Sequence, residues 1–315
     1  MKALWTYDGA VSQEGTVRTG VFYAASAFVM WGLFPVYWKA LGAVPALEVV
    51  AHRTAWGLVF VALWVTVRRR WGEVRAAVRN PRTLAMLAGT AAVVSVNWLL
   101  FVWAVVNDHV TEASLGYFIN PLVTVLLGVV VLKERLNRPR AIAVILAGVG
   151  VVVMTLGIGR LPWVAVGLAL SFGLYGLARK TVAADAVIGL LVETAILTPL
   201  AGGYIVVLGL AGSGVMGRAG FSADALLILG GAVTAVPLVL FTLGARRLPL
   251  STVGMLQYLA PTGQFLLAVF VYREPFSTIH AVSFSLIWSA LGILTWDLHR
   301  RLRPRHPHSR LTGNR

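Results

Sequence analysis

Residues 114–135, SLGYFINPLVTVLLGVVVLKER, return later in the chain as residues 254–274, GMLQYLAPTGQFLLAVFVYRE. Pro121 recurs as Pro261 and Glu134 as Glu274, both 140 positions on (261 − 121, 274 − 134), and Leu126, Leu127, Val129 and Val131 return in the same register as Leu266, Leu267, Val269 and Val271. Each copy is an apolar run long enough to cross a bilayer. Each closes with a basic-acidic pair, Lys133-Glu134 or Arg273-Glu274, where a helix should meet water. A chain built this way reads as a duplicated membrane domain.

The rest of the sequence fits that reading. Hydrophobic residues make up 58% of the 315 and charged residues 12%, far below the usual share of about a quarter in soluble domains. The formal net charge is +15, but Lys and Arg sit in short breaks between apolar runs and in the tail, which argues against a nucleic-acid partner. With no cysteine, the chain offers no disulfide, thiolate metal site or iron-sulfur ligand.

Apolar runs separated by polar breaks predict ten spans, at 18–41, 46–67, 83–105, 111–132, 138–157, 161–179, 186–209, 223–244, 251–272 and 277–297. Residues 1–17 read as a polar cytoplasmic segment, and the first apolar run is too long for a signal-peptide core. Lys and Arg concentrate in alternate breaks, around 68–82, 133–140, 179–180 and 246–247 and in the tail 298–315. The other breaks hold only Lys39, Arg160, Arg218 and Arg273. The positive-inside rule then places both termini in the cytoplasm of a multi-pass protein of the inner (plasma) membrane. Five spans per half is odd, so the second half, 161–297, must lie inverted relative to the first, 18–157, an arrangement typical of transporters. Leu100-Phe101 also returns as Leu240-Phe241 at 140, and Gly32-Leu33 with Lys39 as Gly173-Leu174 with Lys180 at 141. The basic tail should be attracted to anionic lipid of the inner leaflet. A single chain of this size forms a complete bundle, so both monomer and homodimer are open.

The runs GVFYAASAFVMWGLFPVYWKAL, PALEVVAHRTAW, NWLLFVWAV and EASLGYFINPLVTVLLGVVVLKERL resemble the RarD branch of the EamA-type transporters, within the drug/metabolite transporter superfamily. The resemblance extends from about residue 18 to 298. It implies a ten-helix carrier that exports a small organic solute such as a metabolite, an amino acid or a drug-like compound. It does not supply the solute.

Polar groups inside spans need a reason, since a central charge costs roughly 2.5–3.5 kcal/mol on the insertion scale. Glu193 in GLLVETAIL reads either as a proton-coupling or cation-binding site or as a structural partner of Arg53 or another bundle group. Glu48, His52 and Arg53 form a second cluster: Glu48 and His52 share a helix face, and Arg53 turns about 100° away. At the offset of 141 His52 corresponds to Glu193, so a His-Glu couple is expected near the centre, unless Glu48 and Arg53 merely anchor the outer end of their span. Asn97, Tyr117, Asn120, Gln257, Tyr258 and Gln264 are candidate lining for a substrate cavity, joined by Trp31 and Trp98. Pro121 and Pro261 each free a carbonyl and predict a symmetric pair of gating kinks. Trp38, beside Lys39, reads as an interface anchor.

No phosphate-binding loop, HExxH motif or nucleophile elbow occurs, and no cofactor or metal is expected. The remaining alternatives are an uncoupled facilitator or channel, and an integral-membrane enzyme acting on lipid-linked substrates.

Overall fold

The computed structural model describes residues 4–42, 44–107, 110–158, 163–273 and 278–302. Every regular element among them is helical: α1 (Leu4–Gly32), α2 (Phe34–Leu41), α3 (Ala46–Val67), α4 (Trp71–Arg79), α5 (Pro81–Val106), α6 (Val110–Val130), α7 (Arg138–Ile158), α8 (Trp163–Thr181), α9 (Ala186–Leu210), α10 (Phe221–Arg247), α11 (Leu250–Leu256), α12 (Leu259–Leu266), a π-helical turn (Leu267–Val271) and α13 (Thr278–Leu302). Eight segments are long and apolar enough to cross a membrane among the described residues, and a further apolar stretch, Leu115–Val130, is shorter. The helix α8 is not among those eight; it is 19 residues long with Arg179 and Lys180 in its last turn.

Local chemistry sets the breaks. Asn80 accepts the backbone N–H of Arg82 and of Thr83 at 3.1 Å each, with Pro81 in the first turn of α5. Asp185 caps α9 through the Val187 N–H at 3.0 Å. The first predicted span is interrupted at Leu33, because Pro35 removes a donor and leaves the Trp31 carbonyl without its helical partner. Gln264 Nε2 donates to that carbonyl at 3.2 Å. Residues 4–17 hold no proline, and the helix α1 already begins at Leu4 instead of at the apolar boundary near 18.

The two prolines of the repeated stretch do not kink their helices alike. The helix α6 runs through Pro121 without a break, whereas the second copy is interrupted at Gln257-Tyr258, one turn before Pro261. The Gln257 carbonyl, which Pro261 cannot serve, accepts from the Ala260 N–H at 3.0 Å. Gly254 of α11 lies against the Pro121 carbonyl, where an added Cβ would sit 2.7 Å from the oxygen, so α11 lies directly on the stretch of α6 that holds the proline. Lys133 and Arg273, 140 positions apart, both take left-handed backbone conformations, with φ of 56° and 55°. Glu274 itself lies outside the described residues, as does the tail beyond Leu302 and with it most of the segment expected to meet anionic lipid.

Helices pack in a closed set of partners: α3 on α9 and α10, α1 on α10 and α12, α5 on α8 and α9, α6 on α8 and α11, and α7 on α13. One core, with Phe28, Tyr175, Leu238 and Phe241, fills the space between α1, α3, α8, α9 and α10. A second, with Leu115, Phe118, Tyr258 and Phe284, joins α6, α7, α12 and α13. The perimeter stays apolar and open, with Leu156, Leu200 and Phe270 each more than 70% exposed, as suits lipid and not water.

Loop contacts separate the two ends of the bundle. At the basic end, Arg70 bridges Asp185 at 3.2 Å, Arg246 Nη2 donates to the Val182 carbonyl at 2.7 Å, and Arg140 bridges Asp297 at 3.1 Å. Burial pulls the Asp185 carboxyl up, but the Val187 N–H and the Arg70 guanidinium outweigh it and hold the group below its usual range. Glu134 accepts the Leu250 and Ser251 N–H groups at 2.5 and 2.9 Å, finishing the start of α11 from across the bundle. At the opposite end, Glu48 accepts the Val215 N–H at 2.7 Å and Lys39 Nζ lies 3.2 Å from the centre of the Tyr272 ring.

Candidate functional site

A cavity of about 280 Å³ lies where α1, α3, α5, α6, α8, α10 and the broken α11/α12 segment converge. Trp31, Arg53, Asn97, Trp98, Tyr117, Asn120, Gln257, Gln264 and Pro261 all line it, together with Phe28, Phe34, Trp38, Phe101, Phe172 and Thr234. Trp38 thus faces the cavity, with its ring 6.4 Å from that of Phe101, where its neighbour Lys39 suggested an interface anchor. Phe28, Phe172 and Thr234 carry no signal that separates them from core residues in the sequence; only the convergence of helices reveals them.

The polar lining is held in place by neighbouring helices. Asn97 Nδ2 donates to the Leu168 carbonyl at 2.9 Å and to Ser171 Oγ at 2.8 Å, both on α8. Thr124 Oγ1 lies 3.1 Å from Gln257 Oε1 and 3.5 Å from Asn120 Oδ1, joining the two copies of the repeated stretch. Gln264, by serving the Trp31 carbonyl, ties α12 to the break between α1 and α2. Arg53 is 9% exposed, and its guanidinium carbon lies 4.1 Å from the centre of the Trp98 ring. Tyr258 does not reach the cavity. One residue beyond Gln257, it turns about 100° away and is fully buried in the core that includes Phe118 and Phe284.

Toward the basic end the cavity stops at an aromatic floor. Phe28, Trp31, Phe172, Tyr175 and Phe241 meet with ring centroids 5.3–6.3 Å apart. Below that floor lies Glu193, 2% exposed, outside the cavity lining. Thr90 Oγ1 donates to Glu193 Oε1 at 2.5 Å, Tyr175 donates to Oε2 at 3.3 Å, and Arg179 Nη1 stands 3.5 Å from Oε1. Arg179 also donates to the Ala186 carbonyl at 2.7 Å. The partner of Glu193 is therefore Arg179, not Arg53.

His52 and Glu193 do not form the expected couple. Contacts of Glu48 with Val215 and of Arg70 with Asp185 make α3 and α9 antiparallel, and each residue lies about two turns in from the first residue of its own helix. Of the roughly six turns that α3 and α9 span, about two lie outside each residue, which leaves about two turns, on the order of 10 Å, between their depths. His52 instead stands 3.8 Å from Glu48 Oε1, at the end away from the basic loops. Neither residue lines the cavity, nor does Pro121, whose helix is covered there by α11. Among the described residues no group of three or more acidic or histidine side chains could hold a metal ion.

Comparison with known proteins adds a family. The EamA-like transporter family matches residues 18–156. Protein RarD of Streptomyces exfoliatus is 47% identical over 290 residues, covering 92% of both chains. Protein RarD of Escherichia coli K12 is 45% identical over 280 residues, covering 89% of this chain and 95% of that one. The uncharacterized transporter YojE of Bacillus subtilis is 44% identical over 292 residues, covering 90% and 96%. A solved crystal structure shares the fold with a TM-score of 0.68 at 20% identity, covering 90% of this chain and 99% of that one.

Proposed function

The chain belongs to the EamA-like transporter family, and from that premise we propose a secondary carrier of the inner (plasma) membrane that exports a small organic solute by alternating access. Family membership makes it a multi-pass membrane transporter with a small-molecule substrate, and not an enzyme. The observation that carries the finer reading is the cavity itself. It is enclosed by helices from both ends of the sequence, holds polar groups on an aromatic wall, and has a cluster of packed rings at its basic end.

We read the fold as ten spans in two inverted halves, 18–157 and 161–297, with both termini cytoplasmic. The offsets of 140 and 141 pair α1 and α2 with α8, α3 with α9, α5 with α10, α6 with α11 and α12, and α7 with α13. Under that exchange the packing of α1 on α10 maps onto α8 on α5, α1 on α12 onto α8 on α6, and α3 on α10 onto α9 on α5; α3–α9, α6–α11 and α7–α13 map onto themselves. The close approach of Gly32 to Gly263 likewise corresponds to that of Gly173 to Val123. The matched left-handed residues Lys133 and Arg273 support the same reading. With the basic end cytoplasmic, the aromatic floor closes the cavity toward the cytoplasm, and export requires this floor to part. One chain encloses the whole cavity, so the transporting unit is a single chain, alone or within a homodimer.

Exchange for protons is a second reading, favoured by a carboxyl buried inside a span; the triad around Glu193 favours a strut below the floor. The two separate in proteoliposomes loaded with an internal pH dye and challenged with carboxylates, amino acids and cationic amines. A carrier gives saturable counterflow of one class, whereas unitary currents without counterflow overturn the carrier reading in favour of a channel. If Glu193 moves the proton, Glu193→Gln keeps counterflow and loses the pH response. If it is a strut, Glu193→Gln lowers the yield of folded protein, and each surviving molecule responds to pH as the wild type does.

A further inference from the structure

We propose that the solute is an organic carboxylate with an apolar, ring-sized body, its carboxylate held by Arg53 and Gln257. The inference rests on the carrier reading above and names the chemistry of that same cavity.

Arg53 is the one charged side chain among the described residues that line the cavity. Its Nε has no hydrogen-bond partner. Tyr37 and Tyr117 lie near it, and no carboxylate forms an ion pair with it among the described residues. A guanidinium keeps its proton in proteins, so burial does not remove the charge. The Trp98 ring compensates part of its desolvation and leaves the Nε–H unmatched. Gln257 Nε2, a second buried donor of the lining, also lacks a partner, because Thr124 occupies the amide oxygen and not the nitrogen. Two buried donors without acceptors on one cavity call for an acceptor from outside the protein, and a carboxylate presents two oxygens to match.

The rest of the lining decides against other classes. No acidic residue lines the cavity among the described residues, so an ammonium group meets Arg53 with nothing to offset the repulsion. Trp31, Phe34, Trp98 and Phe172 provide flat apolar walls for the body of the solute.

The test compares three compounds with one body: 3-phenylpropionate, its amide and 3-phenylpropylamine. Each is titrated calorimetrically against the purified full-length chain and followed by counterflow in proteoliposomes. The acid should bind at least about tenfold more tightly than the amide, the value of a charge-assisted hydrogen bond, and the amine should not bind. Arg53→Gln should erase the preference for acid over amide, and Arg53→Lys should keep part of it. Equal binding of acid and amide, preferential binding of the amine, a preference that survives Arg53→Gln, or binding of none of the three by well-folded protein each overturns the proposal. Should Arg53→Gln fail to fold, the comparison of the three compounds on the wild type decides. Selective binding of the acid without counterflow leaves the carboxylate site standing and removes the carrier; counterflow of the amine does the reverse.

Discussion

Arg179→Met should be among the most damaging single substitutions in this protein. The guanidinium is 1% exposed and is held between Glu193, the Ala186 carbonyl and Thr242. Removing it strands the Glu193 carboxylate in a low-dielectric interior, and breaking one partner of a buried pair costs about 3–5 kcal/mol. The expected result is a large fall in the temperature at which the detergent-purified protein loses its monodisperse peak on size exclusion. The double variant Arg179→Met with Glu193→Leu should recover much of that loss, because an apolar pair of similar volume carries no stranded charge. If the double variant is no more stable than the single one, the electrostatic account is wrong and Arg179 matters through its packing and its bond to Ala186.

Gly231→Ala tests the helix crossings in the same assay. A Cβ at Gly231 would run into the carbonyl carbon of Trp56 and lie 2.6 Å from the Gly57 nitrogen, both backbone atoms of α3. Neither can swing aside, so α10 and α3 must separate, and overpacking of this kind costs about 1–3 kcal/mol. Since α3 carries Arg53, the separation should also weaken solute binding. Gly148→Ala is the control: a Cβ there meets nothing within 4 Å, and the exchange of glycine for alanine in an open helix position should be neutral or favourable. An unchanged stability for Gly231→Ala would mean that α3 and α10 have slack that the packing does not suggest.

Much of the helix plan was legible in the sequence, because apolar runs of spanning length bounded by charge have few other readings. The predicted span 46–67 is the helix Ala46–Val67, residue for residue. What escaped were features that depend on a second helix. Pro35 was visible in the first span, yet its effect, a break at Leu33 whose free carbonyl takes Gln264, needed α12 to be in place. The prolines 121 and 261 looked equivalent, yet α6 stays whole while its copy breaks, since backbone continuity depends on which carbonyls find other donors. In the candidate site, the single-chain pattern picked out polar groups inside apolar runs, and most of those assigned to a cavity wall face one cavity. Partner choice could not be read the same way. Glu193 had several basic residues within reach on paper, and its pairing with Arg179 across α8 and α9 is a matter of depth in the bundle. Repeat arithmetic misled for His52, since α3 and α9 run antiparallel and matching positions along them lie at opposite depths.

The packing of α1 against α10 and α12 has a consequence for synthesis. The first helix to leave the ribosome meets α10 only when residues up to about 247 have followed, which at 5–20 residues per second takes on the order of ten seconds to most of a minute. Through that interval the face of α1 that carries Ala24, against which Gly244 packs, stays open, and a chain cut short before α10 leaves it open for good.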